Sequence, residues 1–313
     1  MDNSRKIAVI GTGMIGTAIA ALFTGNGFEV TMVDVKESCL KIGESRYDTC
    51  YQDMIEKGLV TKEEAARCKK FLKFTLDYAD ISEADVIFEC VFENLDVKFN
   101  VYHEVEKHCK KFKAIASTTS ALSVEDLVEG MVDNKDKVFV AHPYAPAHLV
   151  PFVEVVRSPY SSGEAAKEIY DILEYVGKKV VLMKKSAPGF VANRLQHALL
   201  REAINIVEHG YADAQDVDKA LMYSFAPRYT SVGLFEHQDA AGLDLVKSIE
   251  DYLFPDLSTA TKTQTFLEEK IAAGELGMKT NKGIYEWNEE SQTRFREDAA
   301  KPYLKYFNWK LPK

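Results

Sequence analysis

The chain has 313 residues, of which 46% are hydrophobic and 28% are charged, an ordinary globular balance with room for two domains. Its formal net charge of −9 argues against nucleic acid as a partner, because a phosphate backbone needs a basic face. No apolar run approaches the roughly 20 residues of a membrane span, and the five cysteines form no CxxC pair. We therefore expect a cytoplasmic protein with no membrane segment, metal centre or disulfide framework.

Short β-rich segments alternate with longer amphipathic segments through the first half of the chain. Strands are predicted at 6–10, 29–34, 86–90, 114–117, 138–142, 152–156 and 178–185. Helices are predicted at 16–24, 97–110 and 124–131, and a helical insertion is predicted near 40–72. This alternation is typical of α/β proteins with a doubly wound parallel sheet of the Rossmann type.

The pattern changes at the segment SAPGF, residues 186–190, where a proline and a glycine interrupt the alternation. A long stretch with apolar residues at helical spacing follows and ends at Gly210, a typical helix C-terminus. Asp213 is the predicted N-cap of the next helix, and the remainder is also predicted to be helical. The sequence thus predicts an α/β domain over 1–186 and an all-helical domain over 187–313.

The segment VIGTGMIG places three glycines, Gly11, Gly13 and Gly16, between the first strand and the first helix. This G-x-G-x-x-G spacing allows a tight turn, a close approach of a pyrophosphate and close helix packing. Met14 and Ile15 open the helix, whose N-terminal N–H groups favour phosphate. Asp34, at the end of the second strand, would bind an adenosine ribose and repel a 2′-phosphate. These features predict a site for NAD rather than NADP. The nearby Lys36 weakens this preference, because a positive charge attracts a 2′-phosphate.

Polar side chains also follow three later strands. Ser120 lies in STTSAL after the strand at 114–117, and His142 lies at the tip of the next one. Glu154 lies between apolar neighbours in the following strand, where a carboxylate is costly unless it has a partner. His142 is a natural partner for it, although His142 alone could be a structural histidine and Glu154 alone a solvent-facing residue.

Asn193 lies early in the long helix of the second domain. Taken alone, it indicates no more than the ordinary polarity of a helix. His148 and His197 lie near these motifs but have no metal-ligand spacing, and we interpret both as structural.

These motifs together resemble the 3-hydroxyacyl-CoA dehydrogenase family over nearly the whole chain. The family's dinucleotide loop matches GTGMIG, its serine segment matches STTSAL, and its VNR motif matches VANR. The segments FENLDVK, GLFEHQDAAGLD and MKTNKGIYEW also look like family segments. The resemblance implies an NAD-dependent oxidoreductase of fatty acid metabolism, acting on a 3-hydroxy group and assembling as a homodimer. It assigns catalysis to His142, Glu154, Ser120 and Asn193, and places Glu93 and Lys98 beside the cofactor.

The resemblance also implies a mechanism. His142 would be the general base that takes the hydroxyl proton, and Glu154 would hold its tautomer. Ser120 and Asn193 would bind the substrate oxygen and orient the carbon for hydride transfer to NAD.

The chain departs from the acyl-CoA members around the histidine. Those members usually read HFFNP, whereas this chain reads HPYAP, with Ala145 in the asparagine position. In this region, and around APRYTSVG, it is more similar to the branch of lambda-crystallin, L-gulonate and carnitine dehydrogenases, which use free 3-hydroxy acids. Arg228 matches an arginine of that branch and is a candidate ligand for a substrate carboxylate, the alternative being an ordinary ion pair.

Three functions therefore remain open. The first is a dehydrogenase of short 3-hydroxyacyl-CoA thioesters, such as 3-hydroxybutyryl-CoA. The second is a dehydrogenase of a free 3-hydroxy acid. The third is a non-catalytic, crystallin-like NAD-binding protein, against which the joint presence of Ser120, His142, Glu154 and Asn193 argues.

Overall fold

The computed structural model describes residues 3–313, whose contacts group into two compact units. The first unit runs up to Val191 and also includes Asp298–Lys313, and the second is Ala192–Glu297. The predicted change of architecture near residue 186 lies close to the first division. The assignment of the last 16 residues differs, because Asp298–Lys313 contacts the α/β unit rather than the helical one.

The first unit contains one sheet of eight strands in the order β3-β2-β1-β4-β5-β6-β7-β8. Their bounds are β1 Lys6–Ile10, β2 Glu29–Val33, β3 Leu72–Thr75, β4 Val86–Glu89, β5 Ala114–Ser117, β6 Val138–Pro143, β7 Phe152–Arg157 and β8 Lys179–Met183. All neighbouring pairs are parallel except β6 and β7, which are antiparallel. The sheet is thus a Rossmann-type sheet with one reversal, and β3 is a strand that the sequence patterns did not predict.

Helices of the first unit follow their strands in the chain. Their bounds are α1 Met14–Thr24, α2 Glu37–Glu56, α3 Lys62–Lys69, α4 Leu95–His108, α5 Val124–Val128 and α6 Gly163–Tyr175. The helices α2 and α3 form the predicted insertion between β2 and the next strand. A capping box between Thr61 and Glu64 fixes the start of α3.

The sheet is buried on both faces. In β1, Ile7 and Val9 belong to one hydrophobic cluster, while Ala8 and Ile10 belong to another. This division follows the two-residue period of a strand, which sends successive side chains to opposite faces. The near-continuous apolar composition of β1 and β6 is what a doubly covered sheet requires.

The C-terminal segment packs against the rest of the first unit through an aromatic side chain. The ring of Trp309 lies over Gly25 and contacts Tyr51 with ring centroids 6.0 Å apart. The Lys310 amide donates to Asn26 Oδ1 at 3.0 Å, and Arg67 Nε donates to the Pro312 carbonyl at 2.9 Å. These contacts explain why residues 298–313 group with the α/β unit.

The second unit is helical, as predicted. Its helices are α7 Ala192–Glu208, α8 Ala214–Tyr223, α9 Leu234–Ala241, α10 Leu243–Leu253 and α11 Thr265–Ala272, and α12 Glu289–Leu304 leads back to the first unit. Of the described side chains in α7, Ile204 is the buried one, and those of α8 to α11 are all at least partly exposed. Among residues 3–313, no helix has the length and apolar character that crossing a bilayer requires.

The packing of Trp309 predicts the effect of Gly25→Ala. A Cβ at Gly25 would collide with the Trp309 ring, although the backbone at φ −64° accepts alanine. We expect the free energy of unfolding in urea to fall by about 1–3 kcal/mol, the usual effect of overpacking.

Gly163→Ala is the matched control, because a Cβ there meets nothing within 4 Å. Its free energy of unfolding should change by less than about 0.5 kcal/mol or rise slightly. Equal stability of the two variants would contradict the packing of the C-terminal segment described above.

Candidate active site

The dinucleotide loop between β1 and α1 has the geometry that its glycines predict. Gly11 has φ +103°, and a Cβ there would collide with the Cys90 carbonyl. A Cβ on Gly16 would collide with the Gly11 carbonyl, whereas a Cβ on Gly13 meets nothing within 4 Å. Gly13 therefore faces open space at the N-terminus of α1, and its contact with a pyrophosphate stays a prediction. Met14, beside it, is 77% exposed, and Ile15 is partly buried against the core.

Asp34 is held in a fixed orientation after β2. Its Oδ2 accepts hydrogen bonds from the Thr12 amide at 2.8 Å and the Thr12 hydroxyl at 2.7 Å, and its Oδ1 accepts from the Val35 amide at 2.7 Å. Oδ2 thus has both lone-pair sites occupied, whereas Oδ1 keeps one for a further donor. A half-buried, oriented carboxylate beside the loop fits a ribose hydroxyl and disfavours a 2′-phosphate.

A buried ion pair lies beneath the carboxyl ends of β4 and β5. The Lys98 ammonium is 2.8 Å from Glu89 Oε1 and 3.3 Å from Ser117 Oγ, and both members of the pair are completely buried. Lys98 Nζ is also 3.4 Å from Glu93 Oε2. Lys98 thus joins Glu89, Ser117 and Glu93 through contacts inside the protein. Its contact with a cofactor stays a prediction.

Glu93 orders the segment that contains Ser120. Its Oε1 accepts hydrogen bonds from the Thr119 hydroxyl and from the amides of Ser120 and Ala121, the last two at 3.1 and 3.2 Å. Burial alone would raise the pKa of Glu93, but these bonds and the Lys98 ammonium hold it below its ordinary value. The ionised carboxylate therefore fixes the backbone at Ser120, whose side chain is exposed.

His142 and Glu154 lie directly opposite each other in the antiparallel pair of β6 and β7. His142 Nδ1 is 3.1 Å from Glu154 Oε2. Glu154 is fully buried and His142 is 8% exposed. An ionised carboxylate only accepts, so with Glu154 ionised this contact holds a proton on Nδ1; a neutral imidazole then keeps its lone pair on Nε2, as a general base requires.

Two further residues support this pair, and the sequence patterns did not identify them. The Val191 amide donates to Glu154 Oε1 at 2.7 Å, and the Phe190 ring lies against His142 with centroids 5.3 Å apart. Phe190 has φ +49°, a left-handed conformation that is rare for a bulky side chain. The sequence feature that could have indicated these two residues is the Gly-Phe dipeptide in SAPGF, which lies directly before a long helix.

Asn193 and Arg228 belong to the second unit. Asn193 is the second residue of α7 and is half-buried. Arg228 lies in a 3₁₀ turn over Pro227–Thr230, and its Nη1 is 2.7 Å from His237 Nε2. Among the described side chains, no carboxylate forms an ion pair with Arg228, so its guanidinium keeps donors for one. The roles of both residues toward a substrate stay predictions.

Two family models match the chain. The 3-hydroxyacyl-CoA dehydrogenase NAD binding domain matches residues 6–186, and the C-terminal domain of the same family matches residues 189–287. The chain belongs to the 3-hydroxyacyl-CoA dehydrogenase family. The NAD-binding model confirms the cofactor predicted from the glycine loop and Asp34.

Relatives with different substrates are about equally similar. The 5-formyl-3-hydroxy-2-methylpyridine 4-carboxylate 5-dehydrogenase of Mesorhizobium japonicum is 28% identical over 95% of each chain. A crystal structure of that enzyme, described as an NAD+ dependent dismutase, has a TM-score of 0.83 over 97% of each chain. The 3-hydroxybutyryl-CoA dehydrogenase of Mycobacterium tuberculosis is 29% identical over 91% of this chain and 99% of its own. The chain also spans 39% of a glyoxysomal fatty acid β-oxidation multifunctional protein of Brassica napus.

The loop geometry predicts that one glycine substitution weakens NADH binding and another lowers the stability of the fold. Gly13→Ala should leave the free energy of unfolding within about 0.5 kcal/mol, because its Cβ meets open space, yet raise the Kd for NADH roughly tenfold or more. Gly16→Ala should lower the stability itself, because its Cβ meets the Gly11 carbonyl.

NADH fluorescence titration and urea unfolding measure the two effects, with Gly163→Ala as the control for both. Unchanged NADH affinity in a folded Gly13→Ala protein would exclude this loop as the pyrophosphate cradle.

Proposed function

We propose that this chain oxidises the 3-hydroxy group of a small substrate reversibly to a ketone, with NAD as the hydride acceptor. The observation that carries the proposal is the buried pair of His142 and Glu154, in a chain with an NAD-binding loop. A short 3-hydroxyacyl-CoA thioester, such as 3-hydroxybutyryl-CoA, is the first candidate substrate, in keeping with the family name.

In the proposed reaction, His142 Nε2 takes the hydroxyl proton of the substrate, since Nδ1 is already bonded to Glu154. Glu154 orients the imidazole and stabilises the imidazolium that forms. Gly11, Gly13, Gly16 and Asp34 would hold the NAD, which supplies the hydride acceptor when bound. Ser120 and Asn193 bind the substrate oxygen and orient its carbon.

A free 3-hydroxy acid is the second candidate substrate. Arg228 has no acidic partner among the described residues, and a guanidinium can bind a carboxylate with two charge-assisted hydrogen bonds. Ala145 replaces the asparagine usual in acyl-CoA members. The Mesorhizobium relative is named for a carboxylate substrate, which also favours this candidate.

We further propose that the protein is a homodimer formed through its second unit. Large apolar side chains of that unit are strongly exposed, among them Tyr223 at 81%, Phe235 at 88% and Tyr252 at 84%. Apolar surface of this extent on a helical unit is typical of subunit contacts. Sedimentation at several protein concentrations tests this proposal, and a monomer at all of them would exclude it. A cytoplasmic location stays a prediction from the sequence.

The catalytic pair predicts the effect of His142→Gln. Loss of the general base should lower kcat roughly 10²- to 10⁴-fold, while the Kd for NADH stays within about twofold. Glu154→Gln should lower kcat and shift its pH profile, because the imidazole loses its charged partner. Near-wild-type turnover by a folded His142→Gln protein would rule out the mechanism.

Arg228→Met discriminates between the two substrate classes. With a free 3-hydroxy acid, we expect KM to rise roughly tenfold or more, at least about 1.4 kcal/mol, and the Kd for NADH to stay constant. With a thioester, KM should change little, and activity should fall with salt because the CoA phosphates are charged.

Wild type and variant are compared by NADH production over a panel of 3-hydroxyacyl-CoAs and free 3-hydroxy acids. Arg201→Met is the matched control, since Arg201 is an exposed arginine of the same unit. An unchanged KM for every free acid that wild type uses would reject Arg228 as a carboxylate ligand.

A further inference from the structure

Lys178 is a buried lysine that the proposed mechanism does not use. It lies between the end of α6 and the first residue of β8 and is 4% exposed. Its Nζ donates to the Ala147 carbonyl at 2.5 Å and to the Val150 carbonyl at 2.6 Å. No acidic side chain among residues 3–313 forms an ion pair with it. A buried amine needs hydrogen-bond partners, and both partners of Lys178 are backbone carbonyls of one segment. Lys178 therefore stabilises that segment.

Those carbonyls belong to the connection between β6 and β7, residues 144–151. The Leu149 and Val150 amides both donate to the Pro146 carbonyl, at 3.0 and 2.9 Å, so residues 146–150 form one helical turn. Ala147 and Val150, the two residues whose carbonyls Lys178 contacts, are buried, so bulk water is poorly placed to replace a missing donor there. Lys178 therefore caps the C-terminal end of a buried turn, where backbone carbonyls accumulate.

This connection determines how β7 returns along β6. In an antiparallel pair the connecting loop fixes the register, and a slip of one residue moves every side chain to the opposite face. His142 is opposite Glu154 only in the observed register. The Lys179 amide also donates to the Pro151 carbonyl at 2.7 Å, so Lys178 and Lys179 together hold the end of the connection against the start of β8.

The contact does not require a charged lysine. Burial lowers the pKa of Lys178 to about 7. The ammonium has three N–H donors and the neutral amine has two, so either form can donate to both carbonyls. Either protonation state of Lys178 can therefore cap the turn.

We propose that Lys178 is a positioning residue for His142, acting through the turn 146–150 and the register of β6 with β7. The proposal rests on the proposed function only where it concerns turnover, because the arrangement of His142 and Glu154 can be measured without substrate. In the enzyme, displacement of the imidazole should lower kcat and leave cofactor binding unchanged, since the dinucleotide loop lies on β1 and α1.

The test compares Lys178→Met with Lys179→Met, which removes the exposed neighbouring lysine. The first readout is the Nδ1–H proton of His142 in the full-length apo protein labelled with ¹⁵N-histidine, assigned by its absence in His142→Gln. A proton bonded to a buried carboxylate exchanges slowly. We expect its signal to broaden or disappear in Lys178→Met and to persist in Lys179→Met.

The second readout is turnover per NADH-binding site, measured well below the unfolding temperature of each variant. Lys178→Met should lower kcat roughly 10- to 100-fold, with KM for NAD within twofold. Lys178→Arg keeps N–H donors on a long chain and should restore the Nδ1–H signal and at least part of kcat. Loss of stability alone would lower the number of sites but not the turnover of each one.

An unchanged Nδ1–H signal in Lys178→Met would overturn the proposal, whatever the protein catalyses. A lost signal without substrate turnover in wild type would instead count against the proposed function alone. If Lys178→Met does not fold, Lys178→Leu, whose side chain likewise has no N–H donor, takes its place. A sharp Nδ1–H signal and wild-type kcat in that variant would equally overturn the proposal.

Discussion

Two completely buried carboxylates, Glu89 and Glu154, require partners, and the arrangement of the site follows from the way each is satisfied. An unpartnered buried carboxylate would cost several kcal/mol. Each of the two therefore binds groups from neighbouring elements, and these contacts hold the elements together. Glu89 accepts from Lys98, Tyr102 and the Val91 amide, which joins β4 to α4. Glu154 contacts His142 and accepts from the Val191 amide, which joins the antiparallel strands to the segment before α7.

Much of this site is predictable because its signals are local. The glycine spacing, the acid at the end of β2 and the polar residues at strand tips each lie within a few residues of the element that positions them. The prediction that Glu154 needs a partner follows from its apolar neighbours in the strand, and His142 is named as that partner because it lies at a strand tip. The pairing of β6 with β7 then provides the direct contact.

The remainder depends on contacts between residues distant in sequence. Strand β3 is only four residues long and mostly half-exposed, so its pattern is too weak to predict it. The burial of Lys98 against Glu89 and the bond from Val191 to Glu154 exist only once the sheet has formed. The same holds for Trp309, whose position over Gly25 no local pattern encodes. Substrate choice is harder still, since relatives named for a thioester and for a pyridine carboxylate are 29% and 28% identical to this chain.

The return of Asp298–Lys313 to the first unit makes the α/β unit discontinuous in sequence. During synthesis, the sheet and its helices leave the ribosome long before Trp309 does. The surface formed by Gly25 and Tyr51 therefore stays uncovered until Trp309 has been added. Since domains generally fold as units, this one is completed only after residue 309 has been synthesised. A nascent chain released before residue 309 would carry a complete sheet that lacks part of its aromatic cover.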